Sequence, residues 1–186
     1  MESNRKIYVE SEDVLTSYIN TELAKGVNEI AFALEFKSGD GEDFKWMGGK
    51  GDGSYGPQLD LTFGIGTPEV MPSIIGDAVV FQEDPTKVAP DHHASNIFVA
   101  QNAAADSSVM SFVKFDISAF AGKVVEMAEF STRSDMNDGQ TMTVKLTKAG
   151  DGFQRDTTNW NNKPSSSGEL ATVVYDQESN RKIFTE

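Results

Sequence analysis

Apolar residues in this chain recur at every second position, and that period restricts most of it to β-strands. In residues 28–39, NEIAFALEFKSG, the residues Ile30, Phe32, Leu34 and Phe36 fall on one side, with Ala, Glu and Lys opposite. In residues 111–118, SFVKFDIS, Val113, Phe115 and Ile117 alternate with Phe112, Lys114 and Asp116. In residues 141–148, TMTVKLTK, Met142, Val144 and Leu146 alternate with Thr and Lys. A strand with one face in a core and one in water has this pattern. Shorter strands are expected at 77–82, 96–101, 124–132, 171–175, 58–63 and 181–185, the last with a twin at 5–9. Turn-forming runs separate them: SGDGED at 38–43, GGKGDGSYGP at 48–57, NDG at 137–139 and KPSSSG at 163–168.

One segment departs from the pattern. In DVLTSYINTELAKG, residues 13–26, Leu15, Tyr18, Ile19 and Leu23 recur at helical spacing. Asp13 suits the N-cap and Gly26 the C-terminus. A helix of two or three turns is marginal alone, so it must pack on the sheets and cover an open end. About ten short strands and one short helix predict an all-β fold, an antiparallel β-sandwich of jelly-roll type.

The charge balance narrows the partners. With 29 acidic and 16 basic residues the net charge is -13. Nucleic acid, which needs clustered Lys and Arg, is not expected. No apolar run reaches the ~20 residues of a spanning helix, so membrane insertion is not expected either. Cysteine is absent and the two histidines, His92 and His93, are adjacent. Thiol catalysis, thiolate metal sites and His-based triads therefore have no material to work with. The acidic pairs Glu42/Asp43, Glu83/Asp84 and Asp135/Asp138 all fall in turns. A glycosidase needs two carboxylates facing each other across a sugar, one of them in an apolar pocket, so no enzymatic activity is expected.

The two ends of the chain carry the same sequence. Residues 2–10 read ESNRKIYVE and residues 178–186 read ESNRKIFTE, an offset of 176 residues. Internal self-similarity of this kind predicts a tandem array; the alternative is a local duplication. On the array reading, residues 1–63 are the closing part of one repeat, 64–75 (GIGTPEVMPSII) the linker, and 76–186 the opening part of the next. Each part by itself leaves sheet edges and an apolar face uncovered. The two parts must meet, either by folding back within one chain or by strand exchange between neighbouring copies. The linker, with Pro68 and Pro72, disfavours a tight fold-back and favours exchange.

Taken in the order 76–186 then 11–63, the chain resembles the DNRLRE-domain or disaggregatase-related repeats. These are extracellular β-sandwich modules that overlap an alginate-type carbohydrate-binding module family. The resemblance rests on GDAVVFQED at 76–84, SFVKFDIS at 111–118, VEMAEFST at 125–132 and TTNWNNKPSSSGEL at 157–170. It is completed by SEDVLTSYINTELAKGVNEIAFAL at 11–34 and YGPQLDLTF at 55–63. It implies an extracellular or cell-surface location. The repeated end segment makes the first functional expectation a repeat of an adhesive stalk or filament, assembling by strand complementation. The resemblance supplies the alternative, a module that binds an extracellular, anionic polysaccharide.

For the second, Trp46, Tyr55, Phe112 and Phe153 are the aromatics least obviously assigned to a core, and so the candidate sugar platform. Lys45, Lys50, Lys114 and Arg133 are candidates to meet a uronate; the alternative for each is a solvated surface charge. Trp160, within WNNKP, reads as a buried strut with its Asn neighbours forming the turn. Calcium is the one candidate cofactor. The runs GDGED at 39–43 and GKGDG at 49–53 have suitable oxygen ligands. The resemblance points instead to a structural ion joining Asp77 and Asp60. Turn-forming, solvated acids are the alternative throughout.

Overall fold

The alternation noted above is realised as ten strands among the described residues, all paired antiparallel. A computed structural model describes residues 5–8, 14–39, 45–48, 56–64, 70–89, 96–102, 107–135 and 141–175. The strands are β1 (Arg5–Tyr8), β2 (Glu29–Gly39), β3 (Lys45–Gly48), β4 (Gln58–Thr62) and β5 (Ser73–Phe81). They continue as β6 (Asn96–Asn102), β7 (Ser107–Asp116), β8 (Met127–Asp135), β9 (Met142–Ala149) and β10 (Ser166–Tyr175). A single α-helix, α1 (Val14–Ala24), and a short 3-10 turn at Ser118–Phe120 complete the described set.

The strand path runs β1-β8-β3-β6-β7-β2-β9-β10, with β4 added on β8 and β5 on β7. It folds into two facing sheets. The first holds β5, β7, β2, β9 and β10, and the second holds β1, β8, β4, β3 and β6. β6 belongs to both: Ile97 and Val99 pair with β3, whereas Ala100 pairs with Val109 of β7. Val99 and Ala100 are consecutive yet both buried in the main core. The strand therefore bends between them, as strands do where they switch sheets at a sandwich corner.

Between the sheets lies the main core. Phe32 of β2, Phe115 of β7 and Phe130 of β8 form its centre, with ring centroids 5.4 to 6.1 Å apart in tilted and edge-on arrangements. Such pairs add roughly 0.5–1.5 kcal/mol each beyond their burial. Tyr175, at the end of β10, reaches across to Thr132 of β8, hydroxyl to hydroxyl, so that two buried polar groups satisfy each other. Helix α1 places Leu15, Ile19 and Leu23 in the same core. Its end is closed by Gly26 at φ 74, where Val27 N–H donates to Glu22 O, a left-handed C-cap. Asp13, the expected N-cap, lies outside the described residues.

A second core sits on the outer face of the first sheet. Ala31, Ala33, Ala78, Val80, Met110 and Phe112 are buried there under Phe153, with Trp160 packed at the margin. The strand pattern predicted water on this face; instead the segment after β9 folds over it. The small side chains of Ala31, Ala33 and Ala78 let that segment approach closely. Its turn is held by Asn159 Oδ1, which accepts from Asn161 N–H and Asn162 N–H, and by Asn162 Oδ1, which accepts from Asn159 N–H.

The two parts of the chain meet inside one molecule. β1, β2, β3 and β4 from the first part pair with β6, β7, β8 and β9 of the second. Within this single chain they pair by fold-back. Residues 73–75 of the expected linker are the first of β5, and Val70 bridges back to Leu61. The expected strand at 181–185 lies outside the described residues.

Candidate carbohydrate-binding face

Directly paired residues in an antiparallel sheet share a face, so register alone sorts the candidate residues. On β3, Met47 pairs with Ile97 and Lys45 with Val99. Ile97 and Val99 are fully buried. Lys45 and Met47 therefore occupy core-facing register positions. Trp46 pairs with Phe98 on one side and with Asp135 of β8 on the other. These three positions form a row across the outer face of the second sheet. Two residues along β8, on the same face, Arg133 pairs with Arg5 of β1.

The expected cluster is thus divided. Trp46 and Arg133 share a face, while Lys45, next to Trp46 in sequence, takes the opposite one. Lys50 and Tyr55 lie outside the described residues. Lys114 is on the far side of the molecule, on the outer face of the first sheet. It pairs with Glu29 at 3.0 Å, donates to Asp151 O at 2.9 Å and lies 5.4 Å from the Phe153 ring centroid. Its positive charge is consumed by holding the covering segment down. Phe112 and Phe153 are buried against each other, centroids 5.6 Å apart, and so offer no sugar platform. Trp160 is half-buried, less than the buried strut expected of it, with Lys163 Nζ 4.0 Å over its ring. Register also places Phe98 and Arg5 at positions on this face, which no sequence pattern marks.

The acidic candidates do not converge. Asp77 is 3 % exposed, and its two carboxylate oxygens accept from Arg155 Nε at 2.7 Å and Nη2 at 2.8 Å. That bidentate pairing is the usual solution for a buried carboxylate. Asp60 is on the other sheet, on β4, in register with Glu129. Calcium takes six to eight oxygens from one loop cluster. No group of three or more His, Cys, Asp or Glu able to hold a metal occurs among the described residues. The Asp60–Asp77 pair does not fit the ion, and the runs at 39–43 and 49–53 lie outside the described residues except for Gly39. Glu83 and Asp84 are exposed in a turn, without the apolar pocket that acid catalysis needs. No helix among the described residues is long and apolar enough to cross a membrane.

Comparison with curated proteins and with solved structures gave no match. Residues 81–185 match the family model described as carbohydrate-binding module family 96. The match runs from the end of β5 through β10 and on through the second copy of the ESNRKI segment. It falls on the carbohydrate-binding side of the resemblance and favours polysaccharide binding over a stalk or filament. The chain belongs to carbohydrate-binding module family 96.

Proposed function

We propose that this module binds an extracellular polysaccharide through the outer face of the second sheet, without catalysing its cleavage. The observation that carries the reading is the row Phe98–Trp46–Asp135, with Arg133 and Arg5 beside it, in a chain of a carbohydrate-binding family. Neighbouring strands are about 4.8 Å apart and alternate residues along a strand about 7 Å. The row therefore spans two strand spacings, on the order of two sugar residues. Aromatic rings stack on the apolar faces of pyranose rings, and flanking polar groups meet the hydroxyls.

Arg5 and Arg133 favour an anionic chain at their end of this face, against Asp135, Glu129 and Asp60 at register positions on the same face. Arg5 and Arg133 are opposite one another, and like charges in that position repel. A uronate carboxylate relieves the repulsion and accepts a fork of hydrogen bonds from a guanidinium. With a net charge of -13 over the whole chain, such a module attracts polyanions only through a local pair of cations. Binding of this kind belongs outside the cell, where uronate polysaccharides are met as matrix.

Affinity electrophoresis in gels containing alginate tests the reading. The wild type should be retarded, Trp46→Ala should run as in a blank gel, and Lys114→Ala should be retarded as the wild type is. Retardation unaffected by Trp46→Ala, or no retardation by any uronate polymer, would end the proposal.

A further inference from the structure

The β8 edge at Phe130–Arg133 has one place for a strand and this chain carries two sequences made for it. β1 fills it, with Arg5 opposite Arg133, Lys6 opposite Thr132, Ile7 opposite Ser131 and Tyr8 opposite Phe130. Residues 181–184 repeat Arg, Lys and Ile and replace Tyr by Phe. The one change keeps an aromatic at the register position that shares a face with buried Phe130. By sequence, both copies satisfy the same edge.

The described end of β10 lies close to that edge. Tyr175 ends β10, and its hydroxyl bonds Thr132, the residue opposite Lys6. β10 therefore stops beside the point where β1 starts. Each strand on the path from β1 to β10 is antiparallel to the next, and the path has eight members. Its two ends run in opposite senses, so a chain that leaves β10 and turns back travels in the sense of β1. Residues 176–180 separate Tyr175 from Arg181. Six extended steps reach about 20 Å, against about 10 Å between packed sheets. The family match, which continues to residue 185, carries the module's own sequence pattern through this second copy.

We propose that the β8 edge is a strand-acceptor site for which residues 181–184 of the same chain compete with residues 5–8. One copy is docked and the other is left as a spare donor. In a tandem array the same segment stands between β10 of one module and α1 of the next, and it joins whichever β8 edge is open. An open edge is what soluble sheets must cover, and strand addition is the general means of covering it.

Proline substitutions in the full chain decide the matter, because proline cannot donate to a ladder. Ile7→Pro alone and Ile183→Pro alone should each move the melting temperature by no more than about 3 °C, and the double variant by more than about 8 °C. Hydrogen exchange at the amides of Phe130–Arg133 should stay slow in both single variants and become fast in the double one. If Ile7→Pro melts as low as the double variant, or exposes those amides, the C-terminal copy does not dock and the proposal fails. Equal melting of all four proteins overturns it too, since the edge would then need neither strand. Sedimentation of Ile7→Pro should give a monomer; a dimer would show that a second copy supplies the strand and overturn docking within the chain.

Discussion

Glu35 is half-buried on the outer face of the first sheet, among Thr147, Ser166 and Lys145. Burial pushes its carboxyl up, but hydrogen bonds from Thr147, Ser166 and Lys145, together with the Lys145 charge, outweigh that and hold it below the usual glutamate value. The ammonium of Lys145 lies 3.1 Å away and the Thr147 hydroxyl 2.7 Å. A depressed folded value means that ionised Glu35 stabilises the fold above its unfolded pKa, and that this contribution is lost as the pH falls through the folded one. Tyr18 works at the other limit. Burial, then Glu22 and Asp151, push its phenol up to about 12 from 10.0. Its contribution is complete below about pH 10 and lost as the pH rises towards 12. Melting curves across pH should therefore show Glu35→Gln flattening the acid limb and Tyr18→Phe flattening the alkaline limb, each leaving the other limb unchanged. In the sequence, Glu35 is one acid on the polar side of a strand. Its partners are 110 residues or more away in the chain, on β9 and β10, and no local pattern announces them.

The elements themselves were far more legible, wherever their period was unbroken. The alternation of β2, β7 and β9 and the helical spacing of Leu15, Ile19 and Leu23 translate directly into buried faces. β5 starts at Ser73, ahead of the strand expected at 77–82, because its register shifts between Ile74 and Gly76 and a bulge destroys the two-residue period. β10 starts at Ser166, ahead of the strand expected at 171–175, for the same reason, with two shifts between Ser167 and Ala171 around Gly168 at φ 69. What fixes α1 to the sandwich was not legible at all. Asn20 Nδ2 donates to Val125 O at 2.8 Å, and Val125 N–H donates back to Asn20 Oδ1 at 2.8 Å. One turn earlier, Thr16 Oγ1 accepts from Ala128 N–H at 3.1 Å. Asn20 thus imitates a strand neighbour for the backbone leading into β8. Asn20→Ala should leave both Val125 groups without this partner and cost about 1–3 kcal/mol in chemical denaturation. Asn20→Asp keeps the acceptor and loses the donor, and should fall between the two. A cost for Asn20→Ala near that of an exposed substitution would show that the helix is held by its apolar face alone.

At the scale of the whole molecule, the sandwich has one outer face under a covering segment and one that carries Trp46. The fold class was readable because strand period and turn spacing agree, whereas the use of the two faces was not. A run such as Phe112, Lys114, Asp116 has the same period whether the face meets water or a folded-over segment. The difference lies in Ala31, Ala33 and Ala78, on strands far apart in sequence, which together make the shallow bed for Phe153. The two faces should therefore separate by experiment. Phe112→Ala removes a fully buried ring from the second core and should cost about 3–5 kcal/mol of stability. Under conditions where it is folded, it should be retarded by alginate as strongly as the wild type. Trp46→Ala should behave the opposite way, with the polysaccharide affinity lost and the melting temperature little changed. Affinity gels and melting curves run on both variants give four results that must fall into this pattern. Loss of retardation by folded Phe112→Ala would move the binding site to the covered face. A large drop in the melting temperature of Trp46→Ala would make Trp46 a core residue of the second sheet and remove it as a platform.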